Sequence, residues 1–206
     1  MVESQLRSRG IRDERVLDAM ASLPRERFVP DDRRRIAYAD EALPIAAGQT
    51  ISQPWIVARM TELLAPRPGD RVLDIGTGSG YQAAILAMLG ARVVSIERQP
   101  ELAASARERL SELGFGDQIE VRLGDGSLGD PTGAPWDGIL VAAAAPSIPP
   151  SLREQLSPNG GRLAIPVGDL RRQNLLLVVR DGDTWQERND GPCVFVPLVG
   201  EEGFPG

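Results

Sequence analysis

From residue 71 onward the sequence alternates short apolar runs with longer stretches of helical spacing, and this alternation limits the possible folds more than any other feature. The expected strands are Arg71–Ile75, Arg92–Glu97, Ile119–Leu123 and Gly138–Ala142, and the expected helices are Gly80–Leu89 and Pro100–Leu113. Strands that are separated by helices of about ten or more residues form parallel sheets with helices on both faces. The sequence therefore predicts a doubly wound α/β fold with a mostly parallel sheet.

The two ends of the chain show other patterns. Up to about Pro54 the apolar residues have helical spacing, and we expect helices without strands there. The residues expected on one helical face are Val16, Leu17, Met20 and Leu23. Near the C-terminus, a short helix at Ser151–Leu156 is followed by the apolar runs Arg162–Val167, Leu175–Arg180 and Cys193–Val196. These runs have few helical residues between them, which is typical of antiparallel strands at a sheet edge.

We expect a single domain that covers residues 1–206. Its N-terminal helical segment and substrate loop would span residues 1–54, its cofactor-binding α/β core 55–168, and its antiparallel C-terminal strands 169–206. The sequence has no internal repeat and no low-complexity linker that would divide these segments. The helical segment is therefore expected to pack onto the sheet.

A glycine-rich turn follows the first expected strand, in the sequence Val72-Leu73-Asp74-Ile75-Gly76-Thr77-Gly78-Ser79-Gly80-Tyr81. Glycines at this place allow a ligand to approach the backbone at the carboxyl end of the sheet. A dinucleotide turn, G-x-G-x-x-G, would have its third glycine at position 81, which is Tyr81 here. Asp74 would also repel a pyrophosphate. The turn therefore favours a cationic ligand without phosphate, such as S-adenosylmethionine, over a nicotinamide cofactor.

Two further acidic residues follow later strands. Glu97 ends the second strand about twenty residues after Gly76, where a carboxylate can accept hydrogen bonds from both hydroxyls of a ribose. Asp125 follows the third strand between Gly124 and Gly126, within reach of an adenine amino group. Each acid alone is as often a turn residue or a helix N-cap. Three acids at the ends of successive strands together predict a nucleoside-binding site.

The composition excludes several kinds of site. All 23 basic residues are arginine, histidine is absent, and Cys193 is the single cysteine. Triad catalysis through histidine, Schiff-base chemistry, imidazole or cysteine-cluster metal sites and disulfides are therefore excluded. A net charge of −6 gives no general attraction to nucleic acid or anionic membranes. We expect a cytoplasmic monomer with no metal, nucleic-acid or membrane partner.

Several segments together point to one enzyme family. They are Gly48–Pro54, Val72–Tyr81, Gly124–Gly126, Pro135–Ile139, Ala142–Pro146, Gly160–Gly168 and Val194–Leu198. On these segments the chain resembles the bacterial type of the protein-L-isoaspartate (D-aspartate) O-methyltransferases over nearly its whole length. The glycine turn marks only class I methyltransferases, whereas Thr-Ile-Ser-Gln-Pro and the terminal Phe-Val-Pro-Leu are far more specific. The resemblance implies a Rossmann-like class I fold. It also implies methylation, by S-adenosyl-L-methionine, of the free α-carboxylate of isoaspartyl residues in damaged proteins.

The resemblance also implies roles for individual residues. Ser52 corresponds to the active-site serine of the family. The implied cofactor positions are Gln49, Thr50, Ile51, Ser52, Asp74, Gly76, Gly78, Gly80, Glu97, Asp125 and Gly126. The implied substrate contacts, besides Ser52, are backbone groups of Val194, Phe195 and Val196 in a C-terminal strand at Cys193–Val196. Trp55 and Val57 stand where animal members have histidines, which favours the bacterial type.

The chemistry of this reaction suits a chain without histidine and lysine. A carboxylate with a pKa of roughly 3.5 to 4 is already ionised at pH 7, so the reaction needs no general base. We interpret Ser52 as a hydrogen-bond donor that orients the carboxylate, because no base is present to activate it as a nucleophile. A structural role as N-cap of a helix that begins at Pro54 is the alternative for Ser52.

Three other functions remain open at this stage. In one of them the enzyme serves a biosynthetic pathway by methylating an aspartate side chain of one particular peptide. The protein could instead bind S-adenosylmethionine as a sensor without turnover. A nicotinamide-dependent oxidoreductase agrees least with the glycine turn.

Overall fold

The computed structural model describes all 206 residues, which form five α-helices and nine strands. The helices are α1 (Glu14–Ser22), α2 (Pro54–Leu64), α3 (Tyr81–Met88), α4 (Pro100–Glu112) and α5 (Pro150–Glu154). The strands are β1 (Leu43–Pro44), β2 (Thr50–Ile51), β3 (Arg71–Ile75), β4 (Arg92–Glu97), β5 (Ile119–Leu123), β6 (Gly138–Val141), β7 (Asn159–Gly168), β8 (Gln173–Asp181) and β9 (Thr184–Cys193). None of the helices combines the length and the apolar character needed to cross a bilayer.

Seven of the strands form one sheet in the order β5-β4-β3-β6-β7-β8-β9. The pairs from β5 to β7 are parallel, and β8 and β9 join them as an antiparallel edge. The predicted doubly wound fold is confirmed, as is its antiparallel edge. The strand order reverses between β3 and β6, and ligands of open α/β sheets bind at the carboxyl ends of the strands beside such a reversal.

Apolar side chains cover both faces of the sheet. Val72 on β3 belongs to a cluster that includes α1, α2, α3 and N-terminal residues as far as Leu6. The neighbouring residues Leu73 and Ile75 belong to a second cluster on the opposite face, with Leu152 of α5. Successive residues of a strand point to opposite faces, so a continuous apolar run such as β3 requires a cover on each side. The N-terminal segment therefore shares its core with the sheet.

The N-terminal segment contains two strands that the sequence analysis did not predict. β1 and β2 pair antiparallel, with Leu43 opposite Ile51 and Pro44 opposite Thr50. The turn between them passes through Ala47, which has a φ of 55°. The expectation of helices without strands before Pro54 is therefore wrong. Two-residue strands show no alternation that a sequence pattern can reveal, whereas the predicted helical face on α1 is buried as expected.

The chain leaves the sheet after β9, so the predicted terminal strand Cys193–Val196 is wrong beyond its first residue. Phe195 N donates to the side-chain Oε1 of Gln173 at 2.7 Å, in place of a backbone partner. Ala144 N donates to the Val196 carbonyl at 2.8 Å, and Leu198 N donates to the Ala144 carbonyl at 2.7 Å. The segment after Cys193 therefore crosses from the sheet edge to the carboxyl end of β6.

Candidate active site

A cleft opens at the carboxyl ends of β3, β4 and β6, where the strand order reverses. It holds about 1030 Å³ of space, part of it open to solvent, which is enough for a nucleoside-sized ligand. The predicted cofactor residues that line it are Gln49, Thr50, Ile51, Ser52, Gly76, Gly78, Glu97 and Gly126. The predicted substrate residues that line it are Ser52, Phe195 and Val196. The predicted residues outside the lining are Asp74, Gly80, Asp125 and Val194.

The turn from β3 to α3 depends on its glycines for two different reasons. Gly76 has a φ of 89°, and a Cβ there would lie 3.6 Å from the Cβ of Ala142, which also lines the cleft. Gly80 has a φ of 88°, and a Cβ there would lie 3.2 Å from the side chain of Leu110 on α4. Other residues adopt such angles only at a cost of roughly 1–2 kcal/mol. The distance at position 76 is an ordinary contact, so Gly76 is required by its backbone angle, whereas Gly80 also lets α4 pack closely against the turn.

Glu97 is held by the backbone of the turn that it faces. Gly78 N donates to Oε2 and Gln99 N donates to Oε1, each at 2.9 Å. The residue is only 5% exposed, yet it lines the cleft. Each carboxylate oxygen can accept a second hydrogen bond. Glu97 is therefore a fixed acceptor for two hydroxyl groups, which is the pattern that a ribose presents.

Asp74 lies beneath the cleft and is fully buried on β3. Its Oδ2 accepts a hydrogen bond from Ser95 Oγ at 2.7 Å, and Ser95 Oγ lies 2.6 Å from Oγ1 of Thr77, a lining residue. Asp74 Oδ1 has no partner. Burial raises the pKa of Asp74 to about 7, which the hydrogen bond from Ser95 opposes. A cation in the cleft would stabilise the ionised form, so Asp74 fits a positively charged ligand.

Asp125 holds the C-terminal tail. Its Oδ1 accepts from Ser127 N at 2.9 Å and from Ser127 Oγ at 2.7 Å, and its Oδ2 accepts from Glu201 N at 2.8 Å. Burial by itself raises the pKa of Asp125, but the hydrogen bonds from Glu201 and Ser127 outweigh burial, so the pKa is lowered. The structure gives Asp125 the N-cap role of a short turn. Its contact with adenine stays a prediction, and only its neighbour Gly126 lines the cleft.

Ser52 presents a free hydroxyl to the cleft. Its side chain is half-buried and makes no hydrogen bond within the chain, while its carbonyl accepts one from Arg25 Nη2 at 2.8 Å. The N-cap of α2 is Gln53, and no side-chain bond caps the helix. The alternative that Ser52 serves as this N-cap is therefore wrong. Its hydroxyl is available to a ligand.

Sequence reasoning missed much of the lining. The additional residues are Val57, Met60, Ile75, Thr77, Ser79, Tyr81, Gln82, Ile96, Arg98, Gln99, Ala142, Ala143, Pro197, Leu198 and Val199. Many of them are apolar and look like core residues in a sequence. Val199 lies just beyond the last family-specific segment, Val194–Leu198. The glycine turn, which contains Thr77 and Ser79 and ends at Tyr81, is the signal that pointed to the cleft.

Comparison with known proteins agrees with this geometry. The sequence model of the family described as "Protein-L-isoaspartate(D-aspartate) O-methyltransferase (PCMT)" matches residues 1–203. The chain belongs to this family. A relative from Methanoregula boonei, named protein-L-isoaspartate O-methyltransferase, is 54% identical over 204 residues, which is 99% of this chain and 93% of the relative. One of the same name from Methanoculleus marisnigri is 56% identical over 207 residues, covering 100% of this chain and 93% of the relative.

Solved structures of the protein-L-isoaspartate O-methyltransferase family share the fold. A structure described by that enzyme name superposes with a TM-score of 0.87 at 28% identity, and covers 98% of this chain and 67% of that one. A Plasmodium falciparum structure in complex with S-adenosyl-L-homocysteine gives a TM-score of 0.80 at 26% identity, with 96% of both chains covered. The Rossmann-like class I methyltransferase fold is thereby confirmed. The bacterial type is confirmed as well, since the relatives that are 54% to 56% identical come from bacteria and archaea.

S-adenosylmethionine is the methyl donor of the family, and the carboxylate of Glu97 fits its ribose. Replacing Glu97 with glutamine is expected to weaken S-adenosylmethionine binding about tenfold, because an amide nitrogen would face one of the two backbone N–H groups. Titration calorimetry measures this change. The matched control is Glu101→Gln on the exposed side of α4, which should leave the dissociation constant unchanged. Equal affinities of the Glu97→Gln and wild-type proteins would contradict the role of Glu97.

Proposed function

We propose that this protein transfers a methyl group from S-adenosyl-L-methionine to the free α-carboxylate of L-isoaspartyl residues in damaged proteins and peptides, releasing S-adenosyl-L-homocysteine. One observation carries the proposal. The free hydroxyl of Ser52, in the segment most specific to the family, lies in the same cleft as the ribose acceptor Glu97. A donor and a carboxylate can therefore meet in one cleft, as methyl transfer requires.

The cleft offers the chemistry that this transfer needs. Bound S-adenosylmethionine supplies a methyl carbon on a positively charged sulfur. The chain must place a carboxylate next to that carbon and exclude water. Removing a carboxylate from water costs several kcal/mol unless it is hydrogen-bonded, and the Ser52 hydroxyl supplies such a bond. The apolar lining residues Val57, Met60 and Leu198 exclude water from the same space.

We propose that the substrate peptide binds along the segment after β9. Phe195 uses its N–H and its carbonyl for the side chain of Gln173. Val194 makes no backbone hydrogen bond within the chain, and it is 80% exposed. Backbone groups are shared by all damaged sequences, so pairing with free main-chain groups suits a substrate that is defined by its linkage. The proposed contacts are the free backbone groups of Val194, the free N–H of Val196 and, as a residue that lines the cleft, Phe195.

We propose that the segments 1–54, 55–168 and 169–206 act as a single domain, and that the protein is a cytoplasmic monomer. The apolar core shared by α1, α2 and the sheet supports one domain. Cys193 is unpaired, and burial raises the pKa of its thiol to about 11. A chain whose single cysteine cannot form an internal disulfide suits a reducing compartment.

Methylation of an isoaspartyl peptide tests the proposal. With S-adenosylmethionine, such a peptide is expected to form a base-labile ester that releases methanol. The control is the aspartyl twin, which differs only in the linkage and should give no methanol above background. Equal methylation of both peptides would favour the aspartate methyltransferase, and cofactor binding without methanol would favour the sensor. Either result would overturn the proposal.

A further inference from the structure

A buried arginine without a carboxylate partner lies directly behind the candidate carboxylate site. Arg25 is fully buried, at the start of a short turn that follows Pro24. Its Nε donates to the Ala37 carbonyl at 2.7 Å and its Nη2 to the Ser52 carbonyl at 2.8 Å. Burial lowers its pKa, and the charges that act on it include no Asp or Glu. Since arginine stays protonated in proteins, the fold holds an unpaired positive charge at Ser52.

Burying such a charge reduces the stability of the fold, so its presence calls for a functional explanation. Taking a guanidinium out of water costs several kcal/mol, and two carbonyl groups only partly compensate. Arg25 also has hydrogen-bonding capacity that is poorly used, because its buried Nη1 has no partner beyond the neighbouring Tyr81 hydroxyl. A neutral side chain of similar volume would pack in the same place at a lower cost. Packing alone therefore does not explain the buried arginine at position 25.

Tyr81 connects Arg25 to the cleft. The Arg25 guanidinium lies over the Tyr81 ring, with its Cζ 4.8 Å from the ring centroid. Phe28 packs edge-on against the same ring, with the centroids 5.2 Å apart, and so holds it in place. Tyr81 lines the cleft, and its buried hydroxyl has no hydrogen-bond partner beyond the neighbouring Arg25. The cleft is therefore linked through Tyr81 to the buried guanidinium that holds the Ser52 carbonyl.

We propose that Arg25 is a positioning residue that makes this site select a carboxylate. It fixes the Ser52 peptide through the carbonyl, which orients the hydroxyl toward the substrate. Its charge, which no carboxylate of the protein neutralises, also lowers the energy of an anion that binds at that hydroxyl. This inference rests on the proposed function, because it takes the isoaspartyl carboxylate to bind at Ser52. The inference adds that the preference for an anion comes from Arg25, a buried residue that does not line the cleft.

A pair of peptides separates this role from a structural one. The first carries the isoaspartyl carboxylate, and the second carries a carboxamide in its place. Dissociation constants for both are measured by calorimetry in the presence of S-adenosyl-L-homocysteine. The variants are Arg25→Gln, which removes the charge, and Arg25→Lys, which keeps it. Arg27→Gln is the matched control, since Arg27 is an exposed arginine of the same turn.

The wild type and Arg27→Gln are expected to prefer the carboxylate, and Arg25→Gln is expected to lose about tenfold of this preference, the size of effect that a nearby unit charge exerts. Arg25→Lys is expected to keep most of the preference while kcat falls. Equal weakening of both peptides by Arg25→Gln would mean a structural role and would overturn the inference. If Arg25→Gln does not fold, loss of the preference in Arg25→Lys would overturn it. A wild type without any preference would instead overturn the carboxylate site itself.

Discussion

Alanine at position 52 is expected to lower kcat/KM for an isoaspartyl peptide by about 10- to 100-fold, the range that corresponds to losing one hydrogen bond to a charged group. The Ser52 hydroxyl has no partner inside the protein, so its removal leaves no unsatisfied group in the empty enzyme. The substitution therefore removes a hydrogen bond only from the complex with a bound carboxylate. Steady-state kinetics with an isoaspartyl peptide measure the effect, and titration calorimetry is expected to show nearly unchanged S-adenosylmethionine binding.

Two controls separate this role of Ser52 from a structural one. Ser52→Thr keeps a hydroxyl and is expected to retain more activity than Ser52→Ala. The unfolding free energy of Ser52→Ala should stay within about 0.5 kcal/mol of the wild type, because loss of a true N-cap costs about 1 kcal/mol and Gln53 is the N-cap of α2. A normal kcat/KM for Ser52→Ala would rule out the orienting role.

The sequence could place most of the predicted cofactor residues along the cleft because local rules govern their positions. The glycine turn, the strand before it and the acid at the end of β4 follow from backbone geometry within a few residues. Glu97 accepts hydrogen bonds from Gln99, two residues later in the chain, and from Gly78 in the glycine turn that it faces. The three acids nevertheless differ in their surroundings. Only Glu97 lines the cleft, because tertiary contacts bury Asp74 and engage Asp125.

The substrate side was harder to predict because it depends on distant contacts. Gln173 and Ala144 divert the chain after Cys193, and neither residue is close to this segment in the sequence. Arg25 lies 27 positions before Ser52, and nothing in its local sequence shows that it contacts the Ser52 carbonyl. The family resemblance located Ser52 and Phe195, but the contacts that orient them are visible only in the folded chain.

The affinity for S-adenosylmethionine is expected to increase as pH rises toward 7. If Asp74 is ionised in the complex, the dissociation constant should fall by up to about tenfold per pH unit. Burial raises the pKa of Asp74 to about 7, so the empty fold favours the neutral acid. The raised pKa of Asp74 therefore adds its full contribution to the free energy of unfolding at pH values below the ordinary pKa of the group. This contribution is lost as the pH rises through about 7. A cationic ligand favours the ionised acid instead, so binding below pH 7 must release a proton.

Calorimetry in buffers of different ionisation enthalpy measures this released proton directly. The pH range of these measurements should end near pH 7.5, because the amino group of S-adenosylmethionine itself loses its charge at about pH 8. Asp74→Asn is expected to bind more weakly near pH 7 and to release no proton, since its amide does not titrate. Asp117→Asn, a change at an exposed loop residue, is expected to behave as the wild type. Proton release that persists in Asp74→Asn would assign the titration to another group and would remove Asp74 from the account of cofactor binding.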